Sequence, residues 1–260
     1  MKKILAIAMA AMMAGSAMGS LMYNTVGSAL SENFDSLPGT GSSATWIDNT
    51  TLPGWYLVTK DNTVPATIGV NNGSSTTGTF YSYGTDDTDR ALGGLGSGGA
   101  YFGSPASNAL AGYWGVRITN NTGSTLTDFT VSYDVEQWRN GGNTSAQPLI
   151  SEWAINPTDW LAGTWNAGAS TDSPIVGSTA SALDGNAAAN RVAGVTFSAS
   201  SLSWANGQTL WIRFREWNDT GNDHGLATDN FAFRAIPEPG TFGLIAGFGA
   251  LLALRRRLRK

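Results

Sequence analysis

Apolar and polar residues alternate along short stretches of this chain, with the period of a β-strand. The clearest stretch is Asp128 to Trp138, where Phe129, Val131, Tyr133 and Val135 interleave with Thr130, Ser132, Asp134 and Glu136. Successive side chains of a strand point to opposite faces, so the pattern predicts a strand with one buried face. Thr209 to Trp217 reads the same way, with Leu210, Ile212 and Phe214 on one side and Trp211, Arg213, Arg215 and Trp217 on the other. Six further segments predict strands. Gly54–Val58 follows a Pro-Gly turn, Thr79–Tyr83 lies between glycines, and Tyr113–Thr119 leads into an Asn-Asn-Thr-Gly turn; the others are Leu149–Ile155, Val192–Phe197 and Leu226–Arg234. Helical periodicity is confined to Ser181–Asn190, and Gly185 interrupts it. Eight or more short strands joined by turns predict an all-β, two-sheet antiparallel sandwich of jelly-roll type. No internal repeat is visible in the sequence.

The two ends break this pattern. Lys2 and Lys3 precede the apolar run Ile4 to Met13, and Ala17-Met18-Gly19 offers small residues for a signal peptidase. Residues 1–19 are therefore expected to be a signal helix cleaved after Gly19, and 20–235 the sandwich domain. From Ile236 the chain reads Pro237-Glu238-Pro239, an uncharged segment from Thr241 to Leu254, then Arg255-Arg256-Arg257-Leu258-Arg259-Lys260. Prolines stop the last strand. Fourteen helical residues rise about 21 Å against a hydrocarbon core of about 30 Å, so snorkelling arginines would help the transmembrane helix across. The basic residues would hold that end in the cytoplasm. A buried core helix with a basic tail is the other reading; no acidic run in the chain answers the basic one.

The segment from Ile236 to Arg257, with all three parts in order, resembles the PEP-CTERM sorting signal of Gram-negative bacteria, a family also labelled the ice-binding protein C-terminal domain. The resemblance implies recognition by an exosortase-type membrane protease, processing near Pro237-Glu238-Pro239, and delivery through the inner membrane to the cell surface or extracellular matrix. It implies nothing about ice. The signal is an address, and function resides in the domain ahead of it.

Charge sharpens the picture of that domain. Residues 20–236 hold eight basic against 18 acidic residues, a net −10, where the whole chain is at −4. No basic stripe for nucleic acid exists. Cysteine is absent, which excludes disulfides, zinc-thiolate sites and a cysteine nucleophile, and the single histidine, His224, removes most imidazole metal sites.

The densest polar constellation is Glu216 to Phe231. It resembles the loop of a bacterial surface module ending roughly in D-x-G-x-D-x-G-L-A-I-D-D-F, found alone or beside extracellular nucleases and adhesins. Looser likeness extends to Asn33–Pro38, Gly54–Tyr56 and Gln137–Asn140. Asn230 stands here where the module has its second Asp. Closely spaced carboxylates in a glycine-containing loop suit Ca²⁺, which takes six to eight oxygens, and Asp219, Asp223 and Asp229 are the candidate ligands. The same residues also serve as turn formers. Asp86-Asp87-Thr88-Asp89 reads as a solvated turn.

Ten tryptophans in an exported sandwich suggest sugar binding, because an apolar sugar face stacks on an aromatic ring. Trp211 and Trp217 with Arg213 and Arg215 would make such a platform; alternatively, the arginines pack on the rings as a covered structural face. Catalysis has little support. Glu136, Glu152 and Glu216 belong to no paired-carboxylate motif, and no G-x-S-x-G elbow accompanies His224. The expected protein is a non-enzymatic surface or matrix component. A carbohydrate-binding module for exopolysaccharide, dependent on calcium or not, is its rival, and a secreted hydrolase is a third, more remote reading.

Overall fold

The computed structural model describes residues 19–86, 88–97 and 99–237. The expected signal segment up to Met18, the motif residues Glu238 and Pro239, the expected transmembrane segment Thr241–Leu254 and the basic stop Arg255, Arg256 and Arg257 lie outside them. No helix among the described residues is long and apolar enough to cross a membrane.

The alternating segments pair into two sheets. The first contains β1 (Leu21–Tyr23), β4 (Trp55–Thr59), β8 (Ala109–Asn120), β10 (Pro148–Ile155), β11 (Asn166–Asp172) and β14 (Thr209–Asn218). Its order is β1-β8-β14-β10-β11, with β4 also on β8. The second contains β2 (Leu30–Glu32), β3 (Ser43–Thr45), β5 (Thr67–Asn71), β6 (Thr79–Tyr83), β7 (Ala91–Leu95), β9 (Asp128–Asn140), β12 (Ser181–Ala182), β13 (Arg191–Ala199) and β15 (Gly225–Ile236). Its order is β12-β9-β15-β7-β6-β5-β3, with β13 on β9 and β2 on β15.

All eight expected strands are present, and the two-sheet sandwich stands. Two pairings depart from the antiparallel expectation: β1 with β8, and β5 with β6, are parallel. Tight turns force antiparallel pairing only on the strands they join. Residues 72–78 are a loop long enough, at roughly 3.3 Å per residue, to return the chain to the end where β5 began. The region Ser181–Asn190 holds β12 and a 3₁₀ turn at Ala188–Asn190 in place of a helix. A side chain at Gly185 would overlap the Trp138 indole, so this segment lies flat on a ring.

Inward faces make one aromatic core. Trp55 meets Phe34 edge-on at 4.8 Å and Phe231 at 5.3 Å, geometry worth about 0.5–1.5 kcal/mol per pair beyond area burial. Trp114 crosses between the sheets, its Nε1 donating to Thr228 Oγ1 at 3.0 Å. The Tyr23 hydroxyl donates to the Ala235 carbonyl at 2.8 Å and accepts from its N–H, tying β1 to the end of β15. That last strand runs through Ile236, one residue past the boundary drawn from the prolines.

Candidate functional site

The segment from Glu216 to Phe231 does not fold as one site. It leaves β14, turns through residues 219–224, and becomes β15 at Gly225. Asp219 and Asp223 occupy the turn, where Asp223 Oδ1 accepts from the Asp219 N–H at 2.6 Å. Asp229 lies inside β15, paired with Asp134 of β9. Gly225 and Asp229 are thus separated by about 13 Å of extended strand, and the three aspartates are not brought together. Among the described residues no three His, Cys, Asp or Glu groups stand as a metal site.

The turn forms one wall of a cleft of about 320 Å³, lined by Thr76, Ser97, Arg139, Asn218, Asn222 and Asp223, with Gly141 and Gly221 supplying backbone. It lies where loops from both sheets converge at one end of the sandwich. Arg139 Nη1 donates to the Gly73 carbonyl at 3.1 Å. Asn218 Nδ2 donates to the Pro105 carbonyl at 2.9 Å, and the Asn222 side chain is exposed. His224 staples the wall. It is buried, its Nδ1 accepts from the Gly141 N–H at 3.0 Å, and its own N–H donates to Gln147. Burial pushes its pKa down, so the ring is held neutral as an acceptor.

Behind the cleft, Glu216 points inward from β14. A Cβ on Gly94 or Gly96 would overlap its carboxylate, so only glycine on β7 and just beyond it admits the acid. Burial, then the charges of Asp223 and Asp219, hold Glu216 well above the ordinary carboxylate range. Burial likewise pushes Asp223 to about 7 and Asp219 to about 6.

The expected sugar platform lies on the outer face of the first sheet, and half of it is covered. Trp211 is 3 % exposed and Arg213 5 %. The loop between β10 and β11 folds Trp160 over them, with ring centroids of Trp160 and Trp211 at 4.6 Å. Arg213 lies between the rings of Tyr113 (3.9 Å) and Trp165 (3.7 Å) and pairs with Glu152 at 2.7 Å. Gly115 leaves room for Trp160: a Cβ there would meet its ring at 2.7 Å. Arg215 and Trp217 remain half-exposed, the guanidinium 4.3 Å above the indole. Trp211 and Arg213 are thus covered, by a loop that carries no periodic signal in the sequence.

Sequence reasoning missed a second acidic cluster on the outer face of the other sheet. Asp134 and Glu136 of β9 face the same way as Ala227 and Asp229 of β15. The chain breaks register between Asp229 and Ala232, with Asn230 at φ 50°, a left-handed conformation that Asn tolerates better than most residues. From there Asn230 Nδ2 donates to Asp229 Oδ2 (2.8 Å) and Asp134 Oδ2 (3.1 Å). An Asp in its place would have supplied no donor. The signal available in the sequence was Asp134 and Glu136 on the polar face of the best-patterned strand.

No family model matches the chain, and no curated protein does. Among solved structures, the xylan-binding CBM22-1 domain of Paenibacillus barcinonensis Xyn10C has 10 % identity and a TM-score of 0.36, covering 82 % of this chain and 97 % of that one. A structure described as CBM4 has 11 % identity and a TM-score of 0.39, covering 72 % and 91 %. The cyclase Fisc from Fischerella sp. has 17 % identity and a TM-score of 0.39, covering 81 % and 99 %. These are distant likenesses between a binding module or an enzyme and this chain.

Proposed function

We propose that this chain is an exported, non-enzymatic β-sandwich that binds a polysaccharide in the cleft at the loop end. The observation that carries the reading is the cleft's lining. Arg139, Asn218, Asn222, Ser97 and Thr76 offer donors and acceptors in one concavity of about 320 Å³, a volume for one or two sugar rings. A ligand dense in hydroxyls matches such a lining better than an apolar one would. Only Asp223 among the carboxylates lines the cleft, and Glu216 sits behind it, so the pair of facing acids that glycoside hydrolysis uses is not assembled there. The net charge of −10 in residues 20–236 disfavours nucleic acid and strongly anionic polymers. A passive matrix scaffold is the second reading, favoured by the burial of seven of the ten tryptophans.

A glycan array with the full chain in mild detergent separates the two. The binding reading expects a retained neutral glycan, weakened about tenfold in Asn222→Ala and in Ser97→Ala, as loss of one hydrogen bond would do. Unchanged binding in both variants would move the site elsewhere, and an array without any retained glycan supports the scaffold. The address is tested separately. Replacing Pro237 and Pro239 with Ala should leave an unprocessed, membrane-retained form; unchanged mature mass and surface delivery would refute the sorting reading.

A further inference from the structure

Seven buried side-chain nitrogen and oxygen atoms among the described residues lack a hydrogen-bond partner. The three oxygens are Glu136 Oε1, Asn186 Oδ1 and Asp229 Oδ1; the first and last lie together on the second sheet's outer face, and Asn186 follows Gly185, which packs on the neighbouring Trp138. Glu136 pairs with Ala227 and Asp134 with Asp229, so Glu136 and Asp229 are diagonal neighbours on one face of β9 and β15. Glu136 is 0 % exposed and Asp229 3 %. Glu136 Oε2 accepts from Trp138 Nε1 at 3.0 Å. Gly185, the residue before Asn186, packs on the same indole.

A buried acceptor without a donor is costly, and each one in a folded protein calls for a cause. Here two are carboxylate oxygens and the third an amide oxygen, all hard donors. Arg191, opposite Glu136 on β13, offsets part of its charge but pairs with Asp134 at 3.9 Å and is itself partly exposed, while Asn230 donates to Asp229 Oδ2 and Asp134 Oδ2, leaving the other Asp229 oxygen unpartnered. Negative charge still accumulates at this corner. Burial first, then Asp229 and Asp89, push Glu136 to about 8; burial first, then Asp89, Asp134 and Asp35, push Asp229 to about 7.

We infer that this corner binds a calcium ion through Glu136, Asp229 and Asn186, with backbone carbonyls and water completing its shell. Calcium accepts six to eight oxygens in flexible geometry and mixes carboxylate, amide and carbonyl ligands, whereas magnesium keeps a strict octahedron and most of its water. The absence of imidazole and thiolate from the three ligands argues against zinc. The ion would fasten the loop carrying Asn186 to β9 and β15. The site differs from the Asp219, Asp223 and Asp229 set in two of its three ligands, and it is independent of the sugar cleft.

The test is terbium luminescence, with Tb³⁺ in place of calcium, on the full chain in mild detergent. Trp138 touches Glu136 and serves as the antenna. Indole excitation should give a saturable terbium emission that calcium displaces. Tb³⁺ binding should weaken at least tenfold in Glu136→Gln and in Asp229→Asn, and stay unchanged in Asp219→Asn. Both isosteres remove a buried negative charge and should fold, which circular dichroism in chelator checks. Trp138→Phe should lose most of the emission. No saturable emission from the wild type would overturn the inference, and so would emission lost in Asp219→Asn but kept in Glu136→Gln and Asp229→Asn.

Discussion

On the outer face of the first sheet, Arg213 lies between two rings and pairs with Glu152, and Arg117 lies 4.3 Å from the Trp211 ring. On the outer face of the second, Glu136 and Asp229 are as deeply buried, yet each keeps an oxygen without a donor. Both faces bury charge. The first covers its cations with rings and gives Arg213 a carboxylate, although Arg117 Nε and Nη1 find only ring faces and no hydrogen-bond partner; the second leaves carboxylate oxygens with no donor. Burying an ion is tolerable only when something replaces its water, and the two faces differ in where that replacement comes from.

The contrast predicts opposite responses to mutation. Arg213→Ala should be the most damaging change, at about 3–5 kcal/mol, because it strands a half-buried partner and removes the ring packing. Chemical denaturation measures it, and a loss under 1 kcal/mol would mean that the stack is ornamental. Calcium should come next. At a free concentration 100 times the dissociation constant, an ion bound only to the folded state adds about 2.7 kcal/mol. For a domain of this size that is roughly 5–10 °C in melting temperature.

A smaller effect belongs to pH. Asp219, Asp223 and Glu216 hold their protons more tightly when folded than unfolded, since their folded pKa values are raised. Their stabilising contribution is therefore complete below about pH 4 and is lost as pH rises through about 6 and about 7 for the two aspartates. Melting in chelator across that window should show the decline, and Asp223→Asn should flatten it. A wild-type profile that rises from pH 4 to 7 would contradict the burial of these acids. Smallest of all, Trp217→Ala removes one half-exposed cation–π contact and should cost about 1 kcal/mol or less, with glycan affinity in the cleft unchanged.

The sandwich was legible because its long strands bury one face: Asp128 to Trp138 declares itself by alternation alone. The strands that escaped notice lack that signature. β7 is Ala-Leu-Gly-Gly-Leu, with glycines where Glu216 and the β15 backbone need space, and β11 is Asn-Ala-Gly-Ala-Ser-Thr-Asp, with no apolar stripe. Sites were harder to read. Proximity in sequence suggested that Asp219, Asp223 and Asp229 act together, but a strand begins between the second and third and carries them apart. Glu136, Asn186 and Asp229 come from three distant segments joined only by register and by Gly185 lying on Trp138. Local spacing records turns well and long-range pairing poorly, which is why the turn was found and the acidic corner was not.

The most direct test of the two-face account is the melting temperature of Glu136→Gln relative to wild type, measured at pH 8 in chelator and again in millimolar calcium. The account predicts a change of sign. In chelator the variant melts higher, because a neutral amide replaces a buried carboxylate and keeps the bond from Trp138. In calcium the wild type melts higher, because only it retains the full ligand set. A variant that melts lower in both conditions, or a wild type that calcium leaves unmoved, would contradict it.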